Sequence, residues 1–346
     1  MTRLKLVNLL DDFALGGVSR GLGIFDSDAV RAVADAHVVP IDSSAMIAPR
    51  LDADVIVTHF TPNWRRIAFM ATLRLRNPQA RIVHVEHSYT GSWEALKVGN
   101  VRRFRAMLSL ACRIPHRLVC VSHGQAHWLS MAAAIDPYDI SVIYPYSDNP
   151  GIDALAAPDF RKQRPLRIGA YGRFAEAKGF DRLIAAHKGG LMPGCELILG
   201  GFGPQEAELR ALADGAPDIR FYGKVENVAD FLSQCDVVAV PSRWEAYGQV
   251  ANEARQAGRP IIVSDIDGLA EQAGDAGMAI DFADMPSIAA AVARLTPWRL
   301  ETMSLAARKA TFACGWMRQR QWAQLIETIM PRERAGRRQD RAHAFA

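Results

Sequence analysis

Two carboxylates, Glu245 and Glu253, stand seven residues apart in the stretch Val240-Pro-Ser-Arg-Trp-Glu245-Ala-Tyr-Gly248-Gln-Val-Ala-Asn-Glu253-Ala-Arg-Gln-Ala-Gly258-Arg-Pro260. An apolar strand run ends at Pro241 and a loop carries Glu245. A helix is expected from Tyr247–Gly248 to a glycine stop at Gly258. Glu245 then lies just ahead of the helix and Glu253 in its second turn. The first turn leaves the N–H groups of Gly248, Gln249 and Val250 without intrahelical acceptors, which makes an anion site, and Gly248 lets a phosphate approach closely. A carboxylate beside a bound phosphate would repel it. Glu245 and Glu253 are therefore suited to accepting hydrogen bonds from hydroxyls, of which sugar and ribose are the obvious sources.

A second loop carries cations. After the strand run Leu166–Tyr171 come Gly172, Arg173, Lys178 and Gly179. Arginine grips a diphosphate through its planar fork and lysine adds a compact charge. Further strand exits are glycine-rich: Gly200, Gly201 and Gly203, then Gly223 followed by Lys224 and Val225. Each can bring bare backbone against a ligand. In the first half, period-two alternation in Arg81–Glu86 puts His84 and Glu86 on one face of a strand, and His87 falls at its exit. His59 ends another strand run and is a second candidate. Gly16 and Gly17 follow the first strand and precede a helix whose N–H groups are expected to aim at a phosphate.

These residues need a scaffold of strands and helices in alternation. Strands are expected at 4–10, 37–41, 55–59, 81–86, 117–121 and 141–144 in the first half. The second half adds 166–171, 196–200, 219–222, 237–240 and 260–263. Helical patterns lie between them, among them Trp64–Arg76, Met285–Leu295 and Trp316–Met330. Ser122 and Gln125 form a capping box directly after a strand. This rhythm is that of two doubly wound α/β units with parallel sheets, whose ligands bind beyond the C-terminal strand ends and in the cleft between units. The expected organisation is a first domain over 1–155 and a second over 156–315. A helix over 316–330 packs back on the first domain, and a disordered basic tail covers 331–346.

Composition is that of a soluble globular protein: 346 residues, 49% hydrophobic, 23% charged. A net charge of +4 gives no strong attraction to nucleic acid. The five cysteines form no CxxC pair, and with no signal or spanning segment this predicts a reducing, cytoplasmic setting. Val101, Phe104, Met107, Leu108 and Ala111 share a helical face opposite arginines. This reads either as a basic helix on the inner membrane surface or as an ordinary amphipathic helix. Asp-x-Asp, a metal motif of another transferase fold, occurs at Asp26/Asp28, Asp52/Asp54 and Asp265/Asp267; three occurrences in one chain show how little it means.

The ordered set Gly172-Arg173…Lys178-Gly179, Gly201-x-Gly203-Pro204, Phe221-x-Gly223-x-Val225 and Pro241-Ser242-x-x-Glu245…Glu253 resembles the retaining GT-B glycosyltransferases of family 4, the glycosyl transferases group 1. The resemblance covers about Arg167 to Glu271 and is looser before it, where Pro145-Tyr146-Ser147-Asp148 replaces the family's Asn-Gly turn. It implies a C-terminal domain that holds a nucleoside-diphosphate sugar. Arg173 and Lys178 would neutralise the pyrophosphate and leaving-group charge. Glu245 would hold sugar hydroxyls, Glu253 the ribose, and Gly223–Val225 would border the base. Tyr247, Gly248, Gln249 and Val250 would line the phosphate end. His87 would lie near donor sugar and acceptor. No metal and no cofactor are implied. The implied reaction is transfer, with retention, from a UDP- or GDP-sugar to a glycan or lipid-linked saccharide. The alternatives are a GT-B sugar-nucleotide epimerase or phosphorylase, and a non-catalytic nucleotide-sugar-binding protein. The oligomeric state is not implied.

Overall fold

A computed structural model of the chain describes residues 3–11, 21–145, 149–311 and 314–330. Gly16, Gly17, Tyr146–Asp148 and the basic segment 331–346 lie outside the described residues. The chain divides into two compact units, Met1–Asp148 with Gly315–Ala346, and Asn149–Cys314.

The first unit carries a six-stranded sheet in the order β2-β1-β3-β4-β5-β6. Its strands are β1 (Leu4–Leu10), β2 (Ala34–Pro40), β3 (Val55–Thr58), β4 (Arg81–Glu86), β5 (Arg117–Cys120) and β6 (Ile140–Val142). Every pairing is parallel. A parallel sheet is covered on both faces, so its inner strands are apolar throughout, and all of β3 is buried. The edge strand β2 is largely exposed and closed by Pro40, which an edge tolerates. Helices start on side-chain caps from Asn63, Thr90, Asn100 and Ser122. At Ser122 the reciprocal bond differs from the expected box: Gln125 Oε1 accepts from Val121 N at 3.0 Å, one residue ahead of the cap.

The helix Val101–Cys112 turns its apolar face inward. Met107, Leu108 and Ala111 join the core, and Phe104 packs on Tyr89 at 5.0 Å between ring centroids. The face offered as membrane-binding is thus largely spent on the fold. The helix Cys314–Ile329 belongs to this unit: Trp322 lies on Phe25 at 4.8 Å, and Arg318 donates to the Pro145 carbonyl at 2.6 Å. No helix among the described residues is long and apolar enough to cross a membrane.

The second unit carries β7 (Leu166–Arg173), β8 (Cys195–Phe202), β9 (Ile219–Gly223), β10 (Val237–Val240), β11 (Ile261–Ser264) and β12 (Gly277–Ile280). All are parallel, in the order β12-β11-β10-β7-β8-β9. Alternate residues feed a core on each face: Leu197 and Leu199 enter one, Ile198 the other. The strand β12 and the helix Pro297–Thr311 were absent from the sequence reading. The first is only four residues long, and the second buries Ser304, Ala307 and Thr311 while exposing Trp298 and Leu305, so it shows no clean apolar stripe.

The unit boundary falls at Asp148/Asn149, ahead of the expected 155/156. The reason is Ile152, which is buried in the second core, and Arg308 and Arg259, which donate to the carbonyls of Asp153 and Ala156. One short apolar anchor and two arginines outweigh a Pro-containing, polar composition.

Candidate functional site

In the second unit β7 lies between β8 and β10, so the strand order reverses at the β7/β10 boundary. Loops leaving two such strands diverge, and the crevice they leave is where doubly wound folds bind ligands. The loop after β7 carries Lys178 and the loop after β10 carries Glu245. The structure brings them together: Lys178 Nζ forms an ion pair with Glu245 Oε2, the two side chains remaining 30% and 16% exposed. Solvent, and hence a ligand, can reach both. Ser242 Oγ also donates to Glu245 Oε2, at 3.4 Å. From the loop after β11, Asp267 accepts from the Glu245 backbone N–H at 3.2 Å, and Asp267 adopts a positive φ of 43° to do so.

The helix expected after Glu245 runs Gln249–Gln256. Its N-cap is Gly248, with φ 85° and ψ 72°, and no side chain caps it. A Cβ at Gly248 would stand 2.4 Å from Leu269 Cδ2, so both conformation and space demand glycine. The helix Phe180–Lys188, following Lys178, is likewise started by a glycine, Gly179, without a side-chain cap. The two helix ends that flank the ion pair therefore carry no side-chain oxygen of the kind that caps the helices starting at Asn63, Thr90, Asn100 and Ser122, which leaves them suited to an anion. Gln272, buried beneath this turn, donates to the carbonyls of Tyr247 and Gly248, the latter at 3.1 Å, and fixes the cap.

The other expected donor residues fall into distinct situations. Arg173 ends β7 with an exposed side chain, and it makes no ion pair among the described residues. Gly172 lies beside it with open space where a Cβ would be. Gly201 and Gly203 are glycines for a local reason: a Cβ would meet the Gly172 carbonyl at 1.9 Å and the Phe174 carbonyl at 2.4 Å. Gly223 ends β9, Lys224 pairs with Glu226 at 3.2 Å in solvent, and Val225 packs over Gly200. The Tyr247 hydroxyl is turned inward to Asn252 Oδ1 at 3.2 Å, so only its backbone faces the cap. Glu253 is 1% exposed, and its carboxylate accepts from Tyr171 Oη at 2.5 Å and from Asn149 Nδ2 at 2.8 Å.

Sequence reasoning missed the brace that holds Lys178 and Glu245 in place. Arg243 donates to both oxygens of Asp181, at 2.8 and 2.5 Å, and to the Glu176 carbonyl at 2.9 Å; its own N–H donates to the Ala177 carbonyl at 2.7 Å. The Arg243 guanidinium holds the Asp181 carboxyl below its usual range. The only signal was an arginine two residues before Glu245 and an acid three after Lys178, which adjacency in sequence does not connect. Asp267, set aside as part of a false metal motif, and Gln272 were missed similarly. Of the other Asp-x-Asp members, Asp26 pairs with Arg31 at 3.2 Å and Asp52 with Lys5. No group of three or more metal-ligating side chains is gathered among the described residues.

In the first unit the order reverses between β1 and β3. There the structure joins two histidines that the sequence offered as alternatives. His59 Nδ1 lies 3.1 Å from His87 Nε2, and His59 Nε2 lies 3.0 Å from Asn8 Oδ1. A carboxamide oxygen only accepts, so His59 Nε2 carries a proton and its Nδ1 accepts from His87 Nε2–H. With both rings neutral, the remaining lone pair is on His87 Nδ1. Burial, assisted by His84 against the opposing pull of Glu86, pushes His87 down to about 4. Burial also holds His59 well below the usual histidine range. His84 is fully buried, with Nδ1 on Thr58 Oγ1 at 2.8 Å and Nε2 3.9 Å from Glu86 Oε2. Glu86 in turn accepts from the backbone N–H groups of Ser88 and Tyr89, at 2.7 and 3.0 Å, and so shapes the turn that presents His87.

Two parallel doubly wound units, each with polar groups gathered at its switch point, define a two-domain Rossmann-like protein of the GT-B type. Residues 165–296 match the family described as glycosyl transferases group 1. The chain is 30% identical over 169 residues to the D-inositol 3-phosphate glycosyltransferase of Mycobacteroides abscessus, a match that covers 44% of this chain and 38% of that one. It is 34% identical over 155 residues to a glycogen synthase of Mycobacterium tuberculosis, covering 41% and 37%. The match thus spans under half the length of these curated relatives. Among solved structures, the Anabaena protein HepE in complex with UDP superposes with a TM-score of 0.72 at 15% identity, covering 94% of this chain and all of that one. The chain has the GT-B fold, and most of its second unit is similar in sequence to the glycosyl transferases group 1 family.

Proposed function

We propose that the chain is a glycosyltransferase that moves a hexosyl group from a UDP- or GDP-sugar to a glycan or lipid-linked saccharide, with retention and without a metal. The observation that carries this reading is the Lys178–Glu245 ion pair set between two uncapped, glycine-started helix ends. A diphosphate finds there one ammonium, the neighbouring Arg173 and two helix N-termini. Together they stabilise the negative charge that grows on the leaving group without help from a metal ion. Glu245, already holding Lys178, has lone pairs left for donor-sugar hydroxyls. The leaving phosphate oxygen is the group assigned to take the acceptor's proton. The neutral His87 Nδ1 is assigned to a sugar hydroxyl. That HepE was crystallised with UDP supports a uridine donor among those named. The reaction is placed in the cytoplasm.

The test is release of nucleoside diphosphate from UDP- and GDP-sugars, with and without saccharide acceptors and with a chelator present. Acceptor-dependent release that survives chelation is expected. Donor conversion without any acceptor would instead establish an epimerase, and binding without turnover a sensor protein.

A further inference from the structure

Glu253 poses a steric problem for the donor-site reading, on which this inference rests. A ribose hydroxyl must reach a carboxylate that is 1% exposed and already holds two protein donors. The two donors are not equivalent. Tyr171 lies within β7, is 8% exposed, and its ring is packed on Phe231 at 4.9 Å between centroids. Moving its hydroxyl means breaking that ring packing in a buried setting. Asn149 is half-buried and lies outside any helix or strand, at the first position of the second unit. Its side chain can turn away from Glu253 without displacing a helix or strand.

We propose that the Asn149 carboxamide is a stand-in for ribose: in the ligand-free chain it occupies the Glu253 oxygen that a ribose hydroxyl takes on binding. Tyr171 is the fixed positioning residue that aims the carboxylate. The chemistry is matched, since an amide N–H and a sugar O–H are both neutral donors to one carboxylate oxygen. The arrangement also has a physical purpose. A buried carboxylate stripped of a donor bears a desolvation penalty, and Asn149 removes that penalty while no nucleotide is present. Binding must then break the Asn149 contact, and the hydroxyl that replaces it restores the balance. A nucleotide without ribose hydroxyls gains nothing at Glu253.

The experiment is calorimetric titration of the full chain with UDP, GDP and ADP, and with the 2′,3′-dideoxy form of whichever binds. Asn149→Ala is expected to bind the ribonucleotide about threefold to tenfold more tightly, with the dideoxy form unchanged. Tyr171→Phe is expected to weaken the ribonucleotide about fivefold to thirtyfold and to erase its advantage over the dideoxy form. In the wild type, the Asn149 side-chain amide resonances should shift with the ribonucleotide and stay put with the dideoxy form. Unchanged or weaker ribonucleotide binding by Asn149→Ala, equal tightening of both forms, or unmoved Asn149 resonances would overturn the inference alone. Absence of binding of all three nucleotides, or wild-type affinity in Glu253→Gln, would overturn the donor site itself.

Discussion

Lys178 and Glu245, 67 positions apart in the chain, meet as an ion pair where two loops leave adjacent parallel strands. Each holds the other in position before any ligand arrives. Arg243 and Asp181 brace the same two loops from below. The pair therefore presents its charges already oriented, which lowers the ordering cost of binding a diphosphate.

Lys178→Met and Glu245→Gln should each lower kcat/KM for the donor sugar by about a hundredfold to a thousandfold. The pair is partly exposed, so its contribution to stability is small and the melting temperature should move little. Steady-state kinetics beside a thermal melt checks both halves. Activity within threefold of wild type in both variants would remove this site from the reaction.

Arg173 and Arg243 should separate cleanly. Arg173 has no ion-pair duty among the described residues, so Arg173→Ala should leave stability within about 0.5 kcal/mol while raising the donor KM at least tenfold. Arg243→Ala removes donors to a carboxylate and a carbonyl, and should cost about 1–3 kcal/mol of stability as well as activity. Denaturant melts with donor titrations distinguish the two; a large loss of stability in Arg173→Ala contradicts the assignment.

Gly248→Ala combines a positive φ with a Cβ 2.4 Å from Leu269. A destabilisation of about 1–3 kcal/mol is expected, together with loss of nucleoside-diphosphate binding, because the helix end shifts away from the phosphate. Urea unfolding and calorimetry on the same sample measure this. Normal stability and normal affinity would show that neither the turn nor the helix end matters.

The histidine pair gives a signed pH prediction. Its folded members are held below the ordinary value of 6.5, with His87 at about 4. Between pH 6.5 and 4 the unfolded chain takes up protons that the folded chain refuses, so stability is fully present above 6.5 and falls as pH drops toward 4. His87 accounts for up to about 3 kcal/mol of that fall, at 1.36 kcal/mol per unit. His87→Gln should flatten the slope of urea-melt stability against pH over that interval. An unchanged slope would mean that His87 titrates normally.

Much of the fold was legible because a parallel sheet writes itself into the sequence. Buried strands are apolar runs, and several of the helices between them start on a capping Asn, Ser or Thr. What escaped was either too short or too mixed to show a period: β12, and the helix Pro297–Thr311 with Trp298 and Leu305 on its outer side. The glycine-started helix after Glu245 was legible too, since Gly248 sits where a capping side chain is normally found.

By itself the sequence determined the two-unit α/β class, and it placed Arg173, Lys178 and Glu245 at strand exits and Glu253 on the helix that follows, because these are properties of local pattern and spacing. Only the tertiary structure decided which of those side chains meet. Glu245 went to Lys178 and Asp267, Glu253 to Tyr171 and Asn149, and His59 to His87. Those partners come from loops and strands brought side by side by sheet order, and sheet order depends on burying apolar surface across the whole unit. Spacing along one segment carries no record of it.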